Sequence, residues 1–353
     1  MPDNLSRSDV MPKEIPMHSQ RLDPLLPRPA RRRFLRQAGA LVAPALVGFP
    51  AWSQTSANPV KLVVGYPPGG ITDTIGRLMA DKLKDELKRP VIVENRPGAG
   101  GRVGAASFKR LPADGEWLML GTDSLMVHAP LVFRSLPFDV HQDFTPVSLV
   151  AEFPYAFATG TEPRVADFAQ YVAWIKANPS KAAFGHPAPG SAPHFFGLML
   201  GEKFGVPMTP VPYQGGAPML AAVAGGQVSA GINAVASDMI EMHRSGRTRI
   251  VAVTGDKRVA QLPEVPSIVE LGYPSVPRGW AALYLPAKAP RAVGDQYAAA
   301  VTAVLARSDV QERLASFGLD ARGSTPSALA LLMKSDAAAW TPIIEASGFK
   351  LDA

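Results

Sequence analysis

Short, mostly apolar runs alternate with amphipathic stretches from residue 58 onward. Residues 60–65 are the first apolar run and predict a buried strand. A helix that begins near Thr72 or Asp73 and ends before Pro90 is predicted next, because its apolar residues share one face: Ile75, Leu78, Met79, Leu83 and Leu87. Strands at 91–94 and 116–120, with a helix at 102–110, repeat the pattern. This alternation indicates a parallel sheet whose post-strand loops lie along one rim.

A second series of strands and helices begins after residue 150. The extended segment 152–157 is placed to carry the chain into a second lobe, and residues 280–285 are extended enough to carry it back. Between these crossings the pattern predicts strands at 182–185, 208–213 and 249–254. The last seventy residues are predicted to be helical, including 292–307 and 328–344. The sequence therefore predicts an α/β protein of two lobes joined by two crossover strands.

Composition excludes several classes of protein. The chain has 353 residues, of which 47% are hydrophobic and 19% charged, so it is too long for one small module and too apolar for general disorder. It contains no cysteine, which excludes disulfide scaffolds, iron–sulfur clusters, cysteine-ligated zinc and thiol catalysis.

The N-terminal segment has the features of an export signal. Arg31-Arg32-Arg33-Phe34-Leu35 precedes the apolar run 38–49, and Ala51-Trp52-Ser53 places small residues before a predicted cleavage site. The run is too short to span a bilayer, and the paired arginines are typical of a twin-arginine signal. Residues 1–53 hold eight of the basic and four of the acidic residues. Most of the net charge of +6 would therefore leave with the signal, which argues against a nucleic-acid partner.

Glycine-rich loops follow the predicted strands at 66–70, 95–101, 121–124, 190–191 and 214–216. Such a loop presents unpaired peptide N–H groups, and the dipole of the following helix adds to their attraction for an anion. A single loop of this kind is explained more readily as a tight turn. Five of them from two lobes indicate a cleft that binds a carboxylate or a phosphate.

No catalytic motif accompanies these loops. Gly98–Gly104 resembles a dinucleotide fingerprint but has Val103 where the last glycine is required. The six histidines form no H-E-x-x-H motif, and His186 and His194 are assigned more readily to capping or packing than to a ligand. Asp73, Asp114 and Asp123 stand at predicted loop or helix starts, where capping explains them. The sequence therefore predicts a binding protein with no cofactor or metal.

The ordered motifs resemble those of the Bug family, the extracytoplasmic solute-binding receptors of tripartite tricarboxylate transporters. The resemblance is carried by Pro67-Pro68-Gly69-Gly70 with Asp73 and Arg77, then by the stretch 90–101, and covers nearly all of residues 58–350. Further matches include Leu136-Pro137-Phe138-Asp139, Tyr213-Gln214-Gly215-Gly216 and Gly225-Gly226-Gln227-Val228.

The resemblance implies a type II periplasmic-binding-protein fold, a Venus-flytrap in which each lobe is a sheet flanked by helices. Residues 58–155 and 279–353 would form lobe 1, and residues 156–278 lobe 2, after a signal peptide at 1–53. Backbone amides would hold a small carboxylate. The candidate ligand-binding residues are Tyr66, Pro68, Gly69, Gly70, Asp73, Thr122, Asp123, Ser124, His186, Gly190, Ser191, Gln214, Gly215 and Asn233.

Two departures from the family pattern concern the second lobe. His186-Pro187-Ala188-Pro189 replaces a serine- and glycine-rich stretch, and Asn233 stands where an aspartate is common. A ligand other than the usual di- or tricarboxylates therefore stays open. The expected partners are the membrane permease subunits of a tripartite tricarboxylate transporter, with the receptor a periplasmic monomer. The alternatives are a sensory protein that signals to a membrane sensor kinase and, third, an exported hydrolase or isomerase.

Overall fold

The computed structural model describes residues 58–352. The predicted export signal and its cleavage site lie outside the described residues. Eleven strands occur in this part of the chain: β1 (Val60–Val64), β2 (Val91–Asn95), β3 (Trp117–Thr122), β4 (Phe144–Phe153), β5 (Tyr155–Thr159), β6 (Ala183–His186), β7 (Thr209–Pro212), β8 (Ala230–Ala234), β9 (Arg249–Val253), β10 (Gly279–Pro286) and β11 (Asp320–Ala321).

Ten α-helices accompany these strands: α1 (Ile71–Leu87), α2 (Arg102–Phe108), α3 (Ala129–Val132), α4 (Phe168–Ala177), α5 (Ala192–Phe204), α6 (Gly216–Ala224), α7 (Ser237–Arg244), α8 (Arg291–Leu305), α9 (Ser308–Ser316) and α10 (Pro326–Ser347). A π-helical turn, Ser124–His128, leads directly into α3.

The first sheet has the strand order β11-β4-β10-β3-β1-β2. Strand β1 lies between β2 and β3 and is parallel to both, as the alternating pattern predicted. Its apolar side chains Val60, Leu62, Val63 and Val64 are fully buried. Because parallel strands point the same way, the loops after β1, β2 and β3 lie at one edge of this sheet.

The second sheet has the order β7-β6-β8-β5-β9, with β6 parallel to β7 and to β8. The chain enters this sheet at Pro154, between β4 and β5, and returns between β9 and β10. These are the two crossings. They lie next to each other, because Gly279 pairs with Phe153 and a Cβ atom on Gly279 would overlap the ring of Phe153 and the hydroxyl of Tyr155.

One group of buried side chains extends from the first sheet to the second. It includes Met119 and Trp280 of the first sheet, Phe157 of the second, and Trp340 of α10. The C-terminal segment joins in, since the ring of Phe349 packs against His194 of α5 with 4.6 Å between centroids. The structure thus confirms the predicted fold class, a mixed α/β arrangement of two sheets with flanking helices.

The sequence pattern did not predict β4 before residue 152 or any of β8, although both lie inside their sheets. The other differences are local. Helix α1 begins at Ile71, and the C-terminal region contains α9 and the short strand β11 between the two predicted helices. Strand β11 has two residues and pairs with β4 through Asp320 and Ala321, so it depends on a distant strand and has no sequence pattern of its own. No helix among residues 58–352 is both long and apolar enough to cross a membrane.

Candidate functional site

Three loops meet at the carboxyl-terminal edge of β1, β2 and β3. The hydroxyl of Tyr66, after β1, lies 3.0 Å from Oγ1 of Thr122, at the end of β3. It also donates to the carbonyl oxygen of Gly100, after β2, over 3.3 Å. Tyr66 therefore connects all three loops. Burial raises the pKa of Tyr66, so this hydroxyl stays neutral at physiological pH.

Two glycines allow the first two loops to touch. A Cβ atom on Gly65 would lie 2.8 Å from the Cα of Gly101, which is closer than real side chains come. Gly101 itself has a φ of 91° and faces the ring of Tyr66. A side chain on Gly65 would push the two loops apart, and the positive φ of Gly101 favours glycine there.

The buried carboxylate of Asp73 holds the first loop in place. Its Oδ2 accepts hydrogen bonds from the Gly69 N–H (2.9 Å) and from Nε of Arg77 (2.8 Å), and its Oδ1 accepts one from Nδ2 of Asn95 (2.8 Å). Burial alone would raise the pKa of Asp73, but these hydrogen bonds lower it below its usual value. Asp73 is therefore ionised at neutral pH and braces the loop.

The start of α1 presents peptide N–H groups at this rim. No side chain caps this helix, and within residues 58–352 no protein acceptor pairs with the N–H groups of Ile71 and Thr72. Pro68, Gly69 and Gly70 beside them are exposed. An anion placed here would accept hydrogen bonds from those N–H groups. It would also lie at the positive end of the dipole of α1, a helix of 17 residues.

The third loop contains a second buried carboxyl group, that of Asp123. Its Oδ2 accepts a hydrogen bond of 2.6 Å from the hydroxyl of Tyr155. Burial raises the pKa of Asp123 to about 6, although the Tyr155 hydrogen bond acts in the opposite direction. Thr122 is buried and Ser124 is half-buried beside it.

The loops of the second sheet also form one group. The N–H of Tyr213 donates to the carbonyl of His186 over 2.9 Å, and the N–H of Gly215 donates to the carbonyl of Pro187 over 3.3 Å. Asn233, near the end of β8, packs against the start of α6 at Gly216. Gln214 is exposed at the same edge.

The two histidines of this group are neutral. Nδ1 of His186 faces the carbonyl oxygen of Ala188 at 3.0 Å and must donate, whereas Nδ1 of His194 accepts the N–H of Gly190 at 3.2 Å. The rings stack with centroids 4.6 Å apart. Burial lowers the pKa of both, that of His194 to about 4 with a further contribution from His186. Nε2 of His186 is therefore an acceptor and Nε2 of His194 a donor, and neither ring carries a charge at pH 7.

The two groups of loops approach each other through neighbouring elements. A Cβ atom on Gly190 would lie 3.0 Å from a methyl group of Val132, in α3. His128, just before α3, stacks on Phe195 of α5 with ring centroids 6.4 Å apart. The candidate residues thus form two clusters whose flanking elements touch. Within 58–352, no group of three His, Cys, Asp or Glu residues could hold a metal ion.

Some residues at this site were not predicted from the sequence. Asn95 donates to both Asp73 and the carbonyl of Tyr66, and its place at the end of a strand beside other post-strand loops could have identified it. Arg102, the first residue of α2, lies over the ring of Phe133 at 3.7 Å, and no carboxylate of the described chain forms an ion pair with it. It adds positive charge beside the rim.

This arrangement is suited to binding. The described loops offer peptide N–H groups, hydroxyl groups and neutral imidazoles. They hold no side chain placed as a nucleophile with an adjacent base. The geometry supports capture of a small anion.

Comparison with known proteins finds relatives along most of the chain. The family model "Tripartite tricarboxylate transporter family receptor" matches residues 75–349. Protein BugT of Bordetella pertussis is 30% identical over 322 residues, which cover 90% of this chain and 98% of BugT.

Two solved structures resemble the whole of the described fold. MatC of Rhodopseudomonas palustris with bound malate has a TM-score of 0.71 and 27% identity, covering 82% of this chain and 99% of MatC. R. palustris Rpa4515 with adipate has a TM-score of 0.76 and 28% identity, covering 84% of this chain and 99% of that protein. The chain therefore belongs to the tripartite tricarboxylate transporter receptor family, the Bug family of periplasmic solute-binding receptors, which are not enzymes.

Proposed function

We propose that this receptor captures a small carboxylate in the cleft between its two sheets and delivers it to the membrane subunits of a tripartite tricarboxylate transporter. Residues 58–155 and 279–353 form one lobe of the cleft, and residues 156–278 form the other. The lobes close on the ligand by a hinge motion at the crossings near Tyr155 and Trp280.

The observation that carries this proposal is the set of uncapped peptide N–H groups at the start of α1, beside Thr122 and Ser124. A helix start and backbone N–H groups recognise a carboxylate through hydrogen bonds and the helix dipole, without a charged side chain. The Asp73 network keeps this loop in one conformation, so less ordering is needed when the ligand binds. Arg102 adds positive charge that attracts an anion to the rim.

The relatives support the same class of ligand. MatC is described with malate and Rpa4515 with adipate, both dicarboxylates, and the whole length of each resembles this chain. The polar side chains of the second-sheet loops suit the polar middle of such a ligand, and the exposed amide of Gln214 suits its far end. We therefore place the first carboxylate at the start of α1 and the rest of the ligand toward His186, Ser191 and Gln214.

Export and assembly are part of the proposal. The paired arginines before the apolar run favour a twin-arginine pathway into the periplasm. Membership of the family supports delivery to a permease, and we propose that the receptor acts as a monomer.

A thermal-unfolding screen of residues 54–353 tests the proposal against mono-, di- and tricarboxylates, aromatic acids and amino acids. A ligand that binds the native state at a hundredfold excess over Kd adds about 2.7 kcal/mol to the free energy of unfolding. A rise of a few degrees in the midpoint with dicarboxylates, reduced in Arg102→Gln, would support the proposal. The absence of any shift with every acid, in protein shown to be ligand-free, would contradict it.

A further inference from the structure

The carboxyl group of Asp123 lies where the candidate ligand loop meets the first crossing. Asp123 stands between Thr122 and Ser124, and the residue is only 4% exposed. Its Oδ2 accepts a hydrogen bond from the hydroxyl of Tyr155. Tyr155 is the first residue of β5, directly after the chain leaves the first sheet at Pro154. One hydrogen bond therefore joins the loop to the start of the second sheet.

The second crossing is tied to the same place. Its link to Asp123 runs through Tyr155. Thr254, just after β9, exchanges two hydrogen bonds with Tyr155: the Tyr155 N–H donates to Oγ1 of Thr254, and the Thr254 N–H donates to the carbonyl of Tyr155, both over 2.8 Å. A change at Asp123 is therefore felt by both crossings.

Titratable groups surround Asp123 on all of the elements packed against it. Apart from His128, they are acidic groups: Tyr66 in the loop after β1, Tyr155 in β5, Tyr284 in β10, and Asp336 in α10. Nδ1 of His128 lies 4.0 Å from Oδ2 of Asp123. Burial lowers the pKa of His128 to about 4, so it carries no positive charge at neutral pH.

A negative charge on Asp123 thus has no positively charged partner within residues 58–352. Burial opposes that charge and raises the pKa of the carboxyl group to about 6. An anionic ligand held by the loop on either side of Asp123 adds a like charge nearby, and like charges at short range weaken each other's binding. Protonation of Asp123 removes that repulsion.

We propose that Asp123 is a positioning residue that couples the ligand loop to both crossings, and that the receptor binds its anionic ligand more tightly when Asp123 is protonated. This inference rests on the proposed function, since it requires a carboxylate ligand. It assigns to the Asp123 side chain a role through Tyr155 and through charge, without contact with the ligand.

Calorimetric titration with adipate and with malate, from pH 5 to pH 8, tests the inference on the wild type and on Asp123→Asn. For each acid, we divide the Kd of the wild type by the Kd of Asp123→Asn at the same pH. This ratio cancels the effect of the ligand's own ionisation. We expect a ratio near one at pH 5 that rises to about ten at pH 8, with the wild type the weaker binder and a midpoint near pH 6.

Two further variants separate this role from a merely structural one. Tyr155→Phe removes a donor that stabilises the ionised form of Asp123, so its binding profile should have its midpoint at a higher pH. Asp336→Asn removes another buried carboxyl group, which accepts from the indole of Trp280 over 2.7 Å and lies outside the ligand loop. Because it removes a like charge that faces Asp123, that variant should keep the change of Kd with pH but have its midpoint at a lower pH, the opposite direction from Tyr155→Phe.

The outcomes are distinct. If neither acid binds, the titration uses an acid that binds in the thermal-unfolding screen, and binding of no acid in that screen would overturn the proposed carboxylate function and this inference with it. Binding with a Kd ratio that is constant across pH would overturn this inference alone. If Asp123→Asn does not fold, the comparison of the wild type with Tyr155→Phe tests the inference. An unchanged midpoint in the pH dependence of the Kd of Tyr155→Phe would contradict the coupling.

Discussion

At the scale of single residues, a few buried polar side chains hold the candidate site in shape. Asp73 accepts hydrogen bonds from the loop backbone at Gly69, from α1 through Arg77, and from β2 through Asn95. A buried carboxylate with three donors is stabilising as long as all of them stay in place, and removing it leaves those donors unsatisfied. Arg77, by contrast, is 56% exposed at its side chain.

Asp73→Ala should therefore lower the free energy of unfolding by about 2 kcal/mol and weaken carboxylate binding. Arg77→Ala is the matched control, because an exposed ion pair contributes about 0–1 kcal/mol. Urea unfolding of both variants measures the difference. If the free energy of unfolding falls equally in Asp73→Ala and Arg77→Ala, the Asp73 carboxylate does not brace the loop.

Asp336, in α10, is a buried carboxyl group whose ionisation should change the stability of the fold. Burial raises the pKa of Asp336 to about 6, above its value in the unfolded chain, so its contribution to stability is complete below about pH 4 and is lost as the pH rises through 6. The side chain introduced by Asp336→Asn does not ionise, so this loss of stability does not occur. Its side-chain oxygen can still accept the hydrogen bond from the indole N–H of Trp280.

The variant should therefore match the wild type at pH 4 and exceed it by up to about 3 kcal/mol at pH 7. Comparing the two proteins cancels the opposite slope that arises from His128 and His194, whose pKa values burial lowers to about 4. Thermal unfolding at several pH values provides the measurement. A difference that does not change with pH would contradict the assignment.

Residue-level contacts were the hardest part to predict from the sequence. The pattern places Asp73 and Asp123 after strands and identifies the glycine loops around them. It does not show which way the carboxyl groups point, because their partners Asn95 and Tyr155 are 22 and 32 residues away. The roles of the fourteen candidate residues toward a ligand stay predictions.

At the scale of elements, the hydrophobic pattern was sufficient for most strands and long helices. Residues 60–65 and 249–254 were predicted as buried strands and correspond to β1 and β9. Helix α9 and strand β11 were not separated from their neighbours, since a short edge strand is stabilised by its partner and leaves little pattern of its own.

Helix α5 shows how packing overrides helix propensity. Gly197 lies inside α5 directly over the ring of Phe184, in β6, and a methyl group there would overlap that ring. Gly294 in α8 has one neighbour, a methyl group of Leu285, at 3.9 Å from a built Cβ atom. The two glycines have the same helical context and different surroundings.

Gly197→Ala should therefore destabilise the protein by about 1–3 kcal/mol through overpacking, while Gly294→Ala should stabilise it by about 0.5–1 kcal/mol through helix propensity. Denaturant unfolding of the two variants gives both values. A stabilising Gly197→Ala would mean that α5 and β6 are not packed as described.

At the scale of the whole molecule, two sheets share a continuous core and two adjacent crossings. The C-terminal segment reaches from α10 to α5 through Phe349. The predicted lobes 58–155 with 279–353, and 156–278, separate the chain at these crossings. We propose that the lobes move relative to each other as rigid bodies about these two crossings.

Small-angle scattering tests that motion. With saturating adipate, or malate if adipate does not bind, the radius of gyration should decrease as the lobes close. Glycerol at the same concentration serves as a control for the solvent. Superimposable curves with and without a bound acid would contradict the hinge.

Backbone N–H groups at the edge of the first sheet are proposed to hold a carboxylate. Amide-resolved NMR of the isotope-labelled mature protein, titrated with adipate and malate, tests this most directly. We expect the amide signals of Gly70, Ile71, Thr72 and Ser124 to shift first and to saturate together with the binding curve. Saturable shifts confined to other surfaces, with these four signals unmoved, would contradict it.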